Sequence, residues 1–190
     1  MSLRAFAASV LCVASVAVAA AQSTKSAGPE SFRANGQIGA APGGVAAAMT
    51  IRIERYTADA DHQALVAALN THDEAAFLAA LKRTPPLGTL TMGKRSLPIR
   101  WARQQAQGQD RRIAVMTGEP AFFFGAGAVD AKPTAGYDVA VLEFTVDSVG
   151  IGKGSMAAAA KVRPGGATGI EIEDYSGKRI ELVTVTKIKS

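Results

Sequence analysis

Everything after Pro85-Pro86 is written as short segments of alternating apolar and polar residues divided by glycine- and proline-bearing turns, and no other feature constrains the fold as much. The segments are residues 88–92, 96–103, 112–117, 121–124, 138–147, 155–163, 169–175 and 178–189. The breaks fall at Gly93, Gly108, Gly118, residues 125–136, 150–154 and 164–166, and Ser176-Gly177. A period of two turns every second side chain to the same face of a strand, and short strands joined directly in sequence pair antiparallel. Ala140, Leu142, Phe144 and Val146 share one face of such a strand, and Met156, Ala158, Ala160 and Val162 one face of the next. In the last segment the apolar set changes phase between Leu182 and Val183, which predicts a bulge or burial on both sides. Pro98 has no N–H to give to a ladder and predicts an edge or a bulge.

Upstream, Val45, Ala47, Met49, Ile51 and Ile53 alternate with polar or small residues, a first strand at which the folded unit is expected to begin. Two helices follow. Leu65, Val66 and Leu69 share a face over residues 59–70, as do Phe77, Leu78 and Leu81 over 71–83. Thr71 and Glu74 read as a capping box for the second helix, Lys82 and Arg83 suit the negative end of its dipole, and Pro85-Pro86 stops it. The expected class is α+β and mainly β: an antiparallel meander, barrel-like or a sandwich, with one short helical hairpin after the first strand.

The N-terminus reads differently. Arg4 precedes an apolar run to Ala21, and Ala19 and Ala21 form an A-x-A site, the pattern of a secretory signal peptide over residues 1–21. A retained membrane anchor is the competing reading. Cleavage before Gln22 removes Cys12, the only cysteine, so the exported chain has neither thiol nor disulfide. Export places the protein in a periplasm or outside the cell, where recycled nucleotide cofactors are scarce. Residues 22–44 are rich in Gly, Ala, Ser and Pro and read as a flexible linker, leaving residues 45–190 as a single β-rich domain. With 48% hydrophobic and 19% charged residues, the chain as a whole is too apolar for a disordered tail.

Searches for catalytic patterns end without a site. Gly150, Gly152 and Gly154 are spaced G-x-G-x-G, not as a dinucleotide fingerprint, and Lys153 precedes Gly154 where a phosphate loop needs Ser or Thr, so this stretch reads as a glycine-rich strand connection. His62 and His72, the only histidines, lack metal-site spacing and stand beside acids that suit helix starts. No G-x-S-x-G elbow exists. A pair among Asp138, Glu143, Asp147, Glu171 and Glu173 could in principle serve a hydrolase, but no spacing selects one. No cofactor or metal is expected, and the balance leans away from an enzyme.

Charge is the informative quantity. From Lys82 to Arg112 eight basic residues stand against Asp110 alone. Lys94, Arg95, Arg100, Arg103, Arg111 and Arg112 are therefore the candidate anion-binding residues, able to grip phosphate or carboxylate. The alternative is that edge strands carry cations to block aggregation. Trp101, Phe122, Phe123, Phe124 and Tyr137 are candidates for an apolar ligand or an interface, since three consecutive phenylalanines cannot share one core face. With Trp101 the only aromatic among the basic residues, specific nucleic-acid binding is disfavoured.

The element order, with Arg111-Arg112-Ile113-Ala114-Val115, Tyr137-Asp138-Val139 and the run from Gly152-Lys153-Gly154 to Met156-Ala157-Ala158-Ala159, resembles a group of uncharacterised secreted bacterial proteins. The resemblance implies export and no particular activity. The leading expectation is an exported, non-enzymatic module whose basic hairpin contacts an anionic polymer or membrane surface. A β-cup carrier of a small apolar ligand is the alternative, and a secreted hydrolase the third.

Overall fold

The computed structural model describes residues 28–38, 45–121, 135–175 and 179–188. Along them run β1 (Glu30–Ile38), β2 (Val45–Ile53), α1 (Asp59–Asn70), α2 (Glu74–Arg83), β3 (Gly88–Met92), β4 (Arg95–Gln107), β5 (Asp110–Thr117), β6 (Val139–Val146), β7 (Ile151–Pro164), β8 (Ile170–Tyr175) and β9 (Ile180–Ile188). Every pairing is antiparallel, and the ring β1-β2-β3-β4-β5-β6-β7-β9 returns to β1, giving a closed eight-stranded barrel. β8 and β9 lie end to end on one side of β7: β8 pairs with its second half and β9 with its first. The mainly β, antiparallel class thus holds, in its barrel form.

Two apolar layers explain the sequence pattern. Phe32, Met49, Ile51, Leu90, Ile99, Ile113, Val115, Leu142, Phe144, Met156 and Leu182 fill the barrel, with the Phe32 and Phe144 rings edge to face at 5.1 Å. Outside, Leu65, Leu69, Phe77 and Leu81 of the helical hairpin pack on Trp101, Met116, Val141 and Ala157. Burial of each of these four helix residues contributes roughly 1.5–3 kcal/mol, which holds helices too short to persist alone. Strands under the hairpin are buried on both faces, so β5 and β6 read as apolar runs where the uncovered strands alternate.

The linker expected over residues 22–44 is corrected across Glu30–Ile38. That stretch is β1, paired with β2 on one side and β9 on the other, and its inward Phe32 and Ala34 are fully buried. Small residues dominate there because Gly36 must pass under Ile180 and Met49: a β-carbon on it would sit 2.9 Å from the Ile180 Cγ2. The break expected at 150–154 is likewise corrected, since β7 begins at Ile151. β-Carbons on Gly152 and Gly154 would collide with the carbonyls of Thr145 and Glu143, so glycine here lets β7 press against β6.

Bulges decide which way the side chains face. The predicted irregularity at Leu182-Val183 is present, with the β1–β9 register stepping from Asn35↔Thr184 to Gly36↔Leu182. A bulge in β7 opposite Val139 and Val141 carries Ala160 outward to the helices, whereas Met156 faces the barrel, so the face expected to run from Met156 to Val162 is split. In β4 the register steps from Ile99↔Thr117 to Trp101↔Met116, leaving Arg100 as the extra residue. Pro98 tolerates its place because Ile99 offers its carbonyl to Leu87 on the β3 side, so position 98 faces the side on which β5 pairs only from Ile99 onward.

α1 has the predicted bounds, but the capping box does not form. Thr71 closes α1, donating its hydroxyl to the Ala68 carbonyl at 2.7 Å, and Asp73 caps α2, accepting from the Ala76 amide at 2.9 Å. A connection of three residues, with His72 at φ 57°, leaves no room for Thr71 to serve the second helix.

Candidate functional site

The six cations selected from sequence are dispersed. Lys94 and Arg95 stand at the β3–β4 turn, and Arg103 lies eight residues further along β4 than Arg95, about 26 Å at strand rise. Arg100 gives its guanidinium to the Thr84 carbonyl at 2.6 Å, tying β4 to the end of α2. Arg103 bonds Asp59 Oδ1 at 2.6 Å and the Thr57 carbonyl at 3.2 Å. That hydrogen bond and the Arg103 charge hold the Asp59 carboxyl below the usual carboxylate range. Arg112 pairs with Glu143 across β5 and β6 at 3.0 Å. Arg111 alternates to the opposite face and enters one mouth of the barrel. Three of the six thus hold carboxylates of the protein itself, and the six do not converge on one ligand.

At that mouth lies a polar cluster built by four elements. Glu30, on the inward face of β1 with Phe32 and Ala34, is 8% exposed. Its Oε1 receives Lys187 Nζ of β9 at 2.7 Å and Arg111 Nη2 of β5 at 3.1 Å; its Oε2 receives Tyr56 Oη at 2.9 Å and Arg111 Nη1 at 3.2 Å. Gln104 Oε1 of β4 takes a further Arg111 bond at 2.8 Å. Burial pushes the Glu30 carboxyl up, but hydrogen bonds from Lys187, Arg111 and Tyr56 and the Arg111 charge outweigh it, and the group titrates below its ordinary value. Tyr56 is driven the other way, upward, by burial and by the Glu30 charge. Carboxylate and phenol are therefore fixed as acceptor and donor, which suits closing the barrel and not proton transfer. Sequence reasoning missed Glu30 because its surroundings read as linker; the signal was its period of two with Phe32 and Ala34.

The aromatic candidates also separate. The β4 bulge turns Trp101 outward beneath α1, away from the inward face of Leu97 and Ile99, and at 1% exposure the indole is closed to a ligand. Its Nε1 donates to His62 Nδ1 at 3.2 Å, which requires an unprotonated Nδ1. Desolvation, with the Arg103 charge, lowers the His62 pKa against the pull of Asp59. Tyr137 carries the Lys161 ammonium 5.2 Å from its ring centroid. Phe122, Phe123 and Phe124, like residues 1–21, lie outside the described residues.

Among the described residues the inward-facing side chains are closely packed. Phe32, Ile51, Leu90, Ile99, Ile113, Leu142 and Val146 have no surface accessible to water, whereas side chains lining a ligand cavity would keep some. Among the described residues no group of three or more His, Cys, Asp or Glu converges as a metal site, and no helix is long and apolar enough to cross a membrane. Cations left on the outside gather along the α2 end and the neighbouring barrel wall: Lys82 and Arg83 close α2, and the stems of Lys82 and Arg100 flank Gly118. Comparison with protein families, curated proteins and solved structures finds no match.

Proposed function

We propose that this chain is an exported, non-enzymatic binding module that works from the outside of its barrel, meeting an anionic partner through the cations of the α2 end and the β3–β4 hairpin. The observation that carries this reading is the packed interior, which favours a surface binder over a carrier of an enclosed ligand. The charge layout supports it too. Ion pairs within the protein occupy Arg103, Arg111 and Arg112, while Lys82, Arg83 and Lys94 are exposed. Arg100 and Arg103 brace the helices and are poor test positions. Lys82→Glu, Arg83→Glu and Lys94→Glu together reverse the surface charge without touching those braces. The expected result is salt-sensitive retention of the wild type on a sulfated polysaccharide matrix and early elution of the triple variant. The variant stays folded, with a melting temperature lower by only about a few degrees, since Lys82 and Arg83 also offset the α2 dipole. Equal elution of the two proteins would count against the reading. A co-purified apolar small molecule in the native mass spectrum would favour the carrier.

A further inference from the structure

The rim of the barrel that holds Glu30 also carries the most exposed aliphatic side chains among the described residues. Val149 is 75% exposed and Ile151 54%, both at the β6–β7 turn. This turn is held rigidly. Asp147 accepts the amides of Val149 and Ile151 at 3.0 and 2.9 Å through its side chain, its own amide bonds the Ile151 carbonyl at 2.9 Å, and the Gly150 carbonyl takes the Lys187 amide at 2.7 Å. Two β-branched aliphatics are therefore presented to solvent by a turn that cannot fold them away, at a free-energy cost in water.

The surroundings are cationic. Lys153 follows Ile151 by two residues on the same outer face, and Arg33 is two strands away in the row Ile151↔Thr186↔Arg33, about 10 Å at strand spacing. Arg55 lies just past the end of β2 at the same rim, and Arg33, Arg55 and Lys153 are exposed with no carboxylate partner among the described residues. Arg111 and Lys187 exceed Glu30 by one charge. Opposing them are Glu54, which faces Arg52 at 3.6 Å, Asp110 at the β4–β5 turn and Asp147, whose carboxylate is turned onto its own turn. The chain also enters β1 at this rim, beside Lys187.

We infer that this rim is a contact surface for an anionic lipid bilayer, with Val149 and Ile151 entering the interfacial layer and Arg33, Arg55 and Lys153 meeting lipid phosphates. The inference rests on the surface-binding reading above in taking the outside of the barrel as the working surface, but it uses a different set of residues. A bilayer fits where a soluble polyanion does not, because only the bilayer offers an apolar layer directly beneath a negatively charged one.

The test is co-sedimentation of the exported protein, as recovered from producing cells, with vesicles of phosphatidylcholine plus phosphatidylglycerol and with vesicles of phosphatidylcholine alone. Wild type and variants share one N-terminus, so its contribution cancels in the comparison. Val149→Asp with Ile151→Asp is expected to weaken binding to the anionic vesicles by about tenfold or more. Val149→Thr with Ile151→Thr, which keeps the β-branched shape of the turn, is expected to weaken it in the same direction with an unchanged melting temperature. Undiminished binding by both double variants overturns the inference, as does equal wild-type binding to both kinds of vesicle. Absence of vesicle binding alongside retention on the polysaccharide matrix overturns it and leaves the earlier reading intact. Vesicle binding that needs Val149 and Ile151, without matrix retention, does the reverse.

Discussion

Glu30 is the residue on which most of the barrel mouth depends. It is a nearly buried carboxylate shared by Arg111, Lys187 and Tyr56, and its folded-state pKa lies below that of the unfolded chain. The unfolded state therefore takes up the proton first as pH falls. The stabilising contribution is complete above the ordinary carboxylate range and is lost as pH drops through the folded value. Glu30→Gln leaves two cations facing an amide and is expected to cost about 2 kcal/mol at neutral pH, with a smaller difference in strongly acid solution. Urea unfolding followed through Trp101, the only tryptophan, measures this at both ends. A cost that stays the same at every pH would sink the argument. In the sequence, Glu30 is one acid in a stretch of small residues, and nothing local says that Lys187 will meet it. Contacts made across such separations are set by barrel closure, which no local spacing encodes.

Among the elements, β7 is the one whose glycines are structural in the strict sense. Gly152 lies where a β-carbon would run into the Thr145 carbonyl, whereas Gly93, at φ 58° in the β3–β4 turn, has open space around it. Gly152→Ala is thus expected to destabilise by about 3 kcal/mol or more, because backbone must move. Gly93→Ala is expected to cost only about 1 kcal/mol of backbone strain. Thermal melts of the two variants side by side decide the matter, and similar losses would show that β7 can relax away from β6. Elements with plain periodicity were legible beforehand: β2, α1, β3 and β6 fall within a residue of their expected limits, and the phase change in β9 marked a true bulge. Bulges at Arg100 and in β7 escaped notice. In β7 the bulge lies among Met156 to Ala160, buried on two faces, where either phase of the alternation looks acceptable. In β4 Pro98 pointed to an edge or a bulge, but not to Arg100 as the extra residue.

At the scale of the molecule, β1 is the closing stave. A chain that begins at Val45 keeps every other strand but exposes the edges of β2 and β9, and it is expected to lose cooperative unfolding altogether, as read by near-ultraviolet circular dichroism. Were residues 22–44 only a linker, this truncation would melt like the untruncated chain. The charge asymmetry was visible in the sequence as a basic segment between Lys82 and Arg112, but its meaning was not. Folding spends Arg103, Arg111 and Arg112 on internal carboxylates and leaves other cations outside. The pairing of first strand with last has a consequence in time as well. Lys187 and Glu30 are 157 residues apart in sequence, so during synthesis β1 is delivered long before its partner. The ring cannot shut until nearly the whole chain has emerged, which makes for slow, late folding and leaves the early strands with an uncovered edge until β9 arrives.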